Sequence, residues 1–125
     1  PINLLLIATT SDYIFIVMAD NQPVGEVYVY RGGRAPNNIT HAIIDKSVKV
    51  IDERAFHMNR YLLSVETHDG IDGIAGSAFR GCYSLTNLDI RSVRILGSYA
   101  FADSGLTEVD CDNLEIIEDR ELSCC

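Results

Sequence analysis

From Thr40 onward the apolar positions of the chain repeat. An Ala-Phe pair stands at Ala55-Phe56, Ala78-Phe79 and Ala100-Phe101, and Glu121-Leu122 takes the same place less faithfully; the spacings are 23, 22 and 21 residues. Seven positions before each pair comes an aliphatic residue (Val48, Ile71, Val93, Leu114), and four before comes another (Ile51, Ile74, Leu96, Ile117). After the pair come Leu62, Leu85 and Leu106, and three residues later Val65, Leu88 and Val109. Such columns at one period are the mark of a solenoid, in which a unit too small to enclose a core stacks on its neighbours and turns each column into an apolar rib. The stretch Leu85, Leu88, Ile90 has apolar positions at period two and reads as a short strand. The segment around Ala-Phe reads as one helical turn. Its Ala is small enough for close approach, and Phe56, Phe79 and Phe101 fill the space between coils.

Residues 1–38 lie outside this period. Ile2 to Ala8 and Tyr13 to Ala19 are apolar runs separated by Thr9-Thr10-Ser11-Asp12, and Asp20-Asn21-Gln22-Pro23 marks a second turn. Between Gly25 and Tyr30, Val27 and Val29 alternate with Glu26, Tyr28 and Tyr30, the pattern of a half-buried strand. The region reads as a small β meander, with a short helix as the alternative for its first run, and its expected role is to cap the apolar first coil. Thr40 to Ser47 is a lone strand unit that aligns Ile43 with Val65, Leu88 and Val109. The expected organisation is thus an N-terminal β cap over 1–38 and a mainly β repeat solenoid over 39–125, made of a half repeat, three coils and an incomplete fourth. A stop in mid-repeat leaves an apolar end and a strand edge. The expectation is that a longer parent or an assembly covers it, or that Glu115, Glu118, Asp119 and Glu121 act as a charged cap.

The motif I-x-x-I-x-x-x-A-F-x-x-C-x-x-L-x-x-L, carried by Ile71, Ile74, Ala78, Phe79, Cys82, Leu85 and Leu88, resembles that of the BspA-like leucine-rich repeats. The resemblance covers roughly Thr40 to Cys125. It implies an open right-handed solenoid with a concave strand face, and binding or adhesion rather than catalysis. The sequence departs from the pattern at Asn59 and Ser104, which replace Cys82, and at Leu122, which replaces Phe.

Composition narrows the function classes. The 125 residues are 47% hydrophobic and 22% charged, ordinary for one globular domain. No run reaches the ~20 apolar residues of a membrane-spanning helix. The formal net charge is −8, and it is concentrated: from Asp103 onward there are eight acids and only Arg120 as a base. That sign argues against a nucleic-acid partner. It leaves a solvated flank or a docking site for a basic protein. Cys82, Cys111, Cys124 and Cys125 show no zinc spacing. Cys82 and Cys125 fall two coils apart, about 10 Å at ~4.8 Å per strand, beyond disulfide reach, so the expectation is buried free thiols and a reducing compartment.

Alternation around the inward Leu85 and Leu88 places Asn87, Asp89 and Arg91 on the outer strand face. The equivalents are Ser64, Glu66 and His68; Glu108, Asp110 and Asp112; and Ala42, Ile44 and Lys46. The central row is Ile44, Glu66, Asp89 and Asp110, beside a largely basic row of Lys46, His68, Arg91 and Asp112. It is either a self-compensating solvated face or a recognition strip for a cationic peptide or divalent ion, although three carboxylates fall short of the six to eight oxygens of a calcium site. Arg31-Gly32-Gly33-Arg34 is a basic Gly-rich loop, either a solvated turn or a nucleic-acid or phosphate contact, and Asp69 to Gly73 has no phosphate-loop Lys and lacks calcium-loop spacing. His41, His57 and His68 stand at no catalytic spacing. With no nucleophile–base pair, cofactor motif or metal cluster, the expected function is a non-catalytic protein-binding or scaffold module. The alternative is a structural subunit held in a larger complex.

Overall fold

The computed structural model describes residues 4–9, 12–18 and 23–118, with side chains described at 12–13 and 26–118. The chain opens with a meander of β1 (Leu4–Thr9), β2 (Tyr13–Met18) and β3 (Pro23–Tyr30), paired antiparallel. The pairing then changes sense. β3 lies parallel to β4 (His41–Ile44), and β4 parallel to β6 (Ser64–Glu66), in one sheet of order β1-β2-β3-β4-β6. The meander is therefore continuous with the solenoid, its third strand being the first rung of the coil stack. Beyond β6 the equivalent stretches keep the alternation: Leu88, Ile90 and Val109 are buried, whereas Asn87, Asp89, Glu108 and Asp110 are exposed.

A second parallel sheet lines another side of the coils. It stacks β5 (Val50–Ile51), β7 (Gly73–Ile74), β8 (Ile95–Leu96) and β9 (Ile116–Ile117) in that order. The sequence shows the aliphatic column Ile51, Ile74, Leu96, Ile117 but no strand signal, because two-residue strands are too short for alternation to register.

The Ala-Phe segments are not helical turns. Residues 53–58 form consecutive turns, and a left-handed residue stands on each side of every Ala-Phe pair: Arg54 and Met58, Ser77 and Gly81, Tyr99 and Asp103. Positive φ at non-glycine residues is uncommon, and in the first two coils the bonding to the next coil holds it. The amides of Arg54, Phe56 and Met58 donate to the carbonyls of Gly76, Ala78 and Arg80, at 3.1, 2.7 and 2.7 Å; those of Ser77, Phe79 and Gly81 donate to Ser98, Ala100 and Ala102, at 2.9, 2.8 and 2.9 Å. The intervening amides of Ala55, His57 and Asn59 close turns on Asp52, Arg54 and Phe56. This division of donors between turn and neighbouring coil satisfies the backbone without a helix. The loop after β3 joins the same ladder, since the Ala35 amide donates to the Ala55 carbonyl at 2.7 Å.

One apolar core runs through the stack. The rings of Phe56 and Phe79 are parallel at 5.1 Å, Phe101 follows at 6.1 Å, and Tyr30 closes the other end at 5.1 Å from Phe56. Leu62, Leu85, Ile71, Ile74 and Ile51 are all at most 1% exposed around this column. Tyr30, expected on the polar face of its strand, is wholly buried. It enters the core because its hydroxyl finds partners there, donating to the Gly33 carbonyl at 2.8 Å and accepting from the Asp52 amide at 3.2 Å. Burial pushes its pKa up to about 12.

The cysteines correct the expectation of free thiols throughout. Cys82 is free and buried, its thiol donating to the Phe56 carbonyl at 3.1 Å, and burial raises its pKa to about 12. Cys111 is disulfide-bonded, to a partner outside the described residues. Only Cys82 with Cys125, two coils apart, stood out in the sequence as a pair to test, and Cys111 was passed over. The case for a reducing compartment falls with it. The expectations for Cys124, Cys125 and the acidic end from Asp119 lie outside the described residues.

Candidate functional site: the strand face

The face is built by β4, β6 and the stretches that continue them. Its register differs from the sequence expectation in the first unit. His41 is level with Ser64, Ala42 with Val65 and Ile43 with Glu66. Ala42 and Ile44 each keep 2% exposure and belong to the core, so Ile43, not Ile44, heads the row of Glu66, Asp89 and Asp110. Aligning the bulkier Ile43 with the inward Val65 caused the slip: the small Ala42 takes the inward place, and one residue of shift reverses every side chain.

Glu66, Asn87, Asp89, Arg91, Glu108 and Asp110 are exposed as expected, and His68 is half-buried. Arg91 pairs with the central row directly. Its Nε and Nη2 reach Oδ1 and Oδ2 of Asp89 at 3.0 and 2.8 Å in a bidentate pair, which lowers the Asp89 pKa. Asp89 and Asp110 also accept the amides two residues on, from Arg91 at 3.1 Å and Asp112 at 3.0 Å; Asp45 does the same for Ser47. These acids thus fold the exits of β4 and of the two stretches that continue β6. Glu66, Glu108, Asp110 and Asp112 have no ion-pair partner among the described residues. Nor does any group of three or more His, Cys, Asp and Glu side chains among those residues come together to hold a metal ion.

Three contacts on this face went unread in the sequence. His41 Nδ1 and Ser64 Oγ hydrogen-bond at 2.7 Å. His68 Nε2 bonds the Asp45 carbonyl at 3.0 Å, and Thr67 donates to the Asp89 carbonyl at 2.7 Å. Each joins neighbouring coils, so only the correct register reveals it. Tyr28 is buried against Tyr13, their ring centroids 5.5 Å apart, whereas Tyr83 is 53% exposed.

No helix among the described residues is long and apolar enough to cross a membrane. Among curated proteins none matches the sequence. A solved structure of a leucine-rich repeat protein from Bacteroides ovatus superposes with a TM-score of 0.58 at 17% identity, over 94% of this chain and 40% of that one. The chain thus spans less than half the length of that relative, and the likeness concerns the fold. Residues 34–125 match the BspA type leucine rich repeat region in six copies. The ladder bond at Ala35 agrees with a repeat that begins ahead of Thr40. With most of its length in such repeats, stacked in parallel about one Phe column, the chain belongs to the BspA-type leucine-rich repeat family.

Proposed function

We propose that the chain is a non-catalytic protein-interaction module whose strand face receives a basic segment of a partner protein. The observation that carries this reading is the row of Glu66, Asp89 and Asp110, flanked by Glu108 and Asp112. These side chains stand exposed on adjacent coils, and only Asp89 among them is ion-paired within the described residues. Family membership supports it, since leucine-rich repeats are generally interaction or scaffold modules. A rigid core directly behind the face also favours it, because little ordering is then left to oppose association. Such a face would act mainly on encounter rate and partner choice, and its binding would weaken with salt.

The test is the triple variant Glu66→Gln, Asp89→Asn, Asp110→Asn. Asn at 89 and 110 keeps an oxygen for the amide two residues on, so the fold should persist by circular dichroism. Binding of a lysine-rich fluorescent peptide, and of partners in a pulldown, should fall by about tenfold or more. Unchanged binding in the folded variant would remove the strip from consideration.

A further inference from the structure

The chain's excess of acid makes a second cluster conspicuous. Arg34, Arg54 and Arg80 stand on three consecutive rungs of the turn ladder. Arg34 precedes Ala35, whose amide donates to Ala55, next to Arg54; the Met58 amide in turn donates to Arg80 at 2.7 Å. All three are exposed, and none has a carboxylate ion-pair partner among the described residues, although the chain holds 18 acids against 10 bases. Arg91 and Arg94, by contrast, are both paired with carboxylates. The half-buried His57 lies amid the cluster: besides burial, the charges that lower its pKa are those of Arg54, Arg34 and Arg80. On the next rung the Arg80 guanidinium sits over the exposed Tyr99 ring, 5.3 Å from its centroid, a contact that orders it. Of the neighbouring acids, Asp52 is engaged with the Gly33 amide at 2.6 Å, and Glu53 lines the groove of Val50, Ile74 and Gly97 over the second sheet.

We propose that Arg34, Arg54 and Arg80, with Tyr99 beside them, form a second docking site that takes an acidic segment of a partner protein. Guanidinium forks match carboxylates in geometry as well as charge. Three rungs span about 10 Å at ~4.8 Å each, within reach of a few consecutive acidic side chains. Charge selects the class of occupant. The net charge of −8 repels a long polyanion such as nucleic acid along its whole length, whereas a short acidic segment meets the local positive field within a Debye length of about 8–10 Å. This site differs in place and sign from the strand face and does not depend on it.

The experiment is fluorescence anisotropy of a labelled decaglutamate peptide at low salt, titrated with the full chain. Saturable binding is expected, weakened at least about tenfold by Arg34→Gln, Arg54→Gln, Arg80→Gln. The triple carboxylate variant of the strand face should bind the peptide as well as or better than wild type. Both variants are compared with wild type by circular dichroism; should the triple arginine variant unfold, Arg80→Gln alone must weaken binding. No saturable binding, equal binding by a folded arginine variant, or tighter retention of a single-stranded DNA 10-mer than of the peptide would overturn the proposal.

Discussion

His57 is held below its ordinary pKa of 6.5 by burial first, then by the positive charges of Arg54, Arg34 and Arg80. Its folded pKa lies below its unfolded one, so on acidification the unfolded chain takes up the proton first. The stability from the neutral ring is therefore complete above pH 6.5 and lost as the pH falls from there through the lowered value. The depressed carboxylates of Asp45, Asp72 and Asp89 act only below their ordinary 3.8, leaving the window under pH 6.5 to the histidine. Melting temperatures between pH 7.5 and 5 should decline in the wild type and decline less in His57→Gln; parallel profiles would refute the assignment. None of this was legible in the sequence, where the histidine stood alone and its arginines were up to 23 residues away. Asn59 teaches the same lesson. It reads as a departure from Cys82, yet both are fully buried and both donate to the preceding coil, Asn59 to the Pro36 carbonyl at 2.7 Å and Cys82 to that of Phe56 at 3.1 Å. In these two coils the position holds a buried donor, which two unlike side chains supply.

At the scale of the element, the turn ladder sets how closely coils approach. A Cβ built on Gly97 would lie 2.5 Å from the Gly76 nitrogen and 2.7 Å from the Ala75 carbonyl carbon. Both are backbone atoms and cannot swing aside. Gly97→Ala must therefore part the third coil from the second, at an expected cost of about 1–3 kcal/mol by the usual values for overpacking, read as a shift in the urea midpoint. Ser98→Ala next to it should stay within ~0.5 kcal/mol. A Gly97→Ala variant as stable as wild type would show that the ladder is looser than its hydrogen bonds indicate. The sequence marked these segments by their Ala-Phe pairs but assigned them a helical turn. The left-handed residues that break the helix, among them Arg54 and Ser77, carry no compositional warning, because the coil above holds them in place.

For the whole molecule, stability is expected to follow nearest neighbours along the stack. Phe79 is buried between Phe56 and Phe101, whereas Phe101 contacts a ring on one side only among the described residues. Phe79→Ala should cost about 3–5 kcal/mol, the range for such truncations in a core. Phe101→Ala should cost less, since its loss leaves one aromatic contact broken rather than two. Equal losses in denaturant titrations would mean that the coils melt as one unit without regard to position. The charge is divided over the same frame, with carboxylates along the strand face and, on the turn ladder, arginines that have no carboxylate partner among the described residues. If both proposed sites function, binding at each should weaken with salt while their preferred peptides carry opposite charge.

The period, the apolar columns, the Phe core and the alternation that exposes Asp89 beside the buried Leu88 were determined by the sequence alone. A repeat imposes the same burial on each copy, so a single chain reports its own pattern several times over. What only the tertiary structure decided lies between the copies: the one-residue register that places Ile43, not Ile44, on the outer face, the ladder that holds residues in left-handed conformation, the burial of Tyr30 and the gathering of three arginines about His57. These depend on which atoms of one coil meet those of the next, and periodicity in one chain sets the spacing of coils without setting their registration.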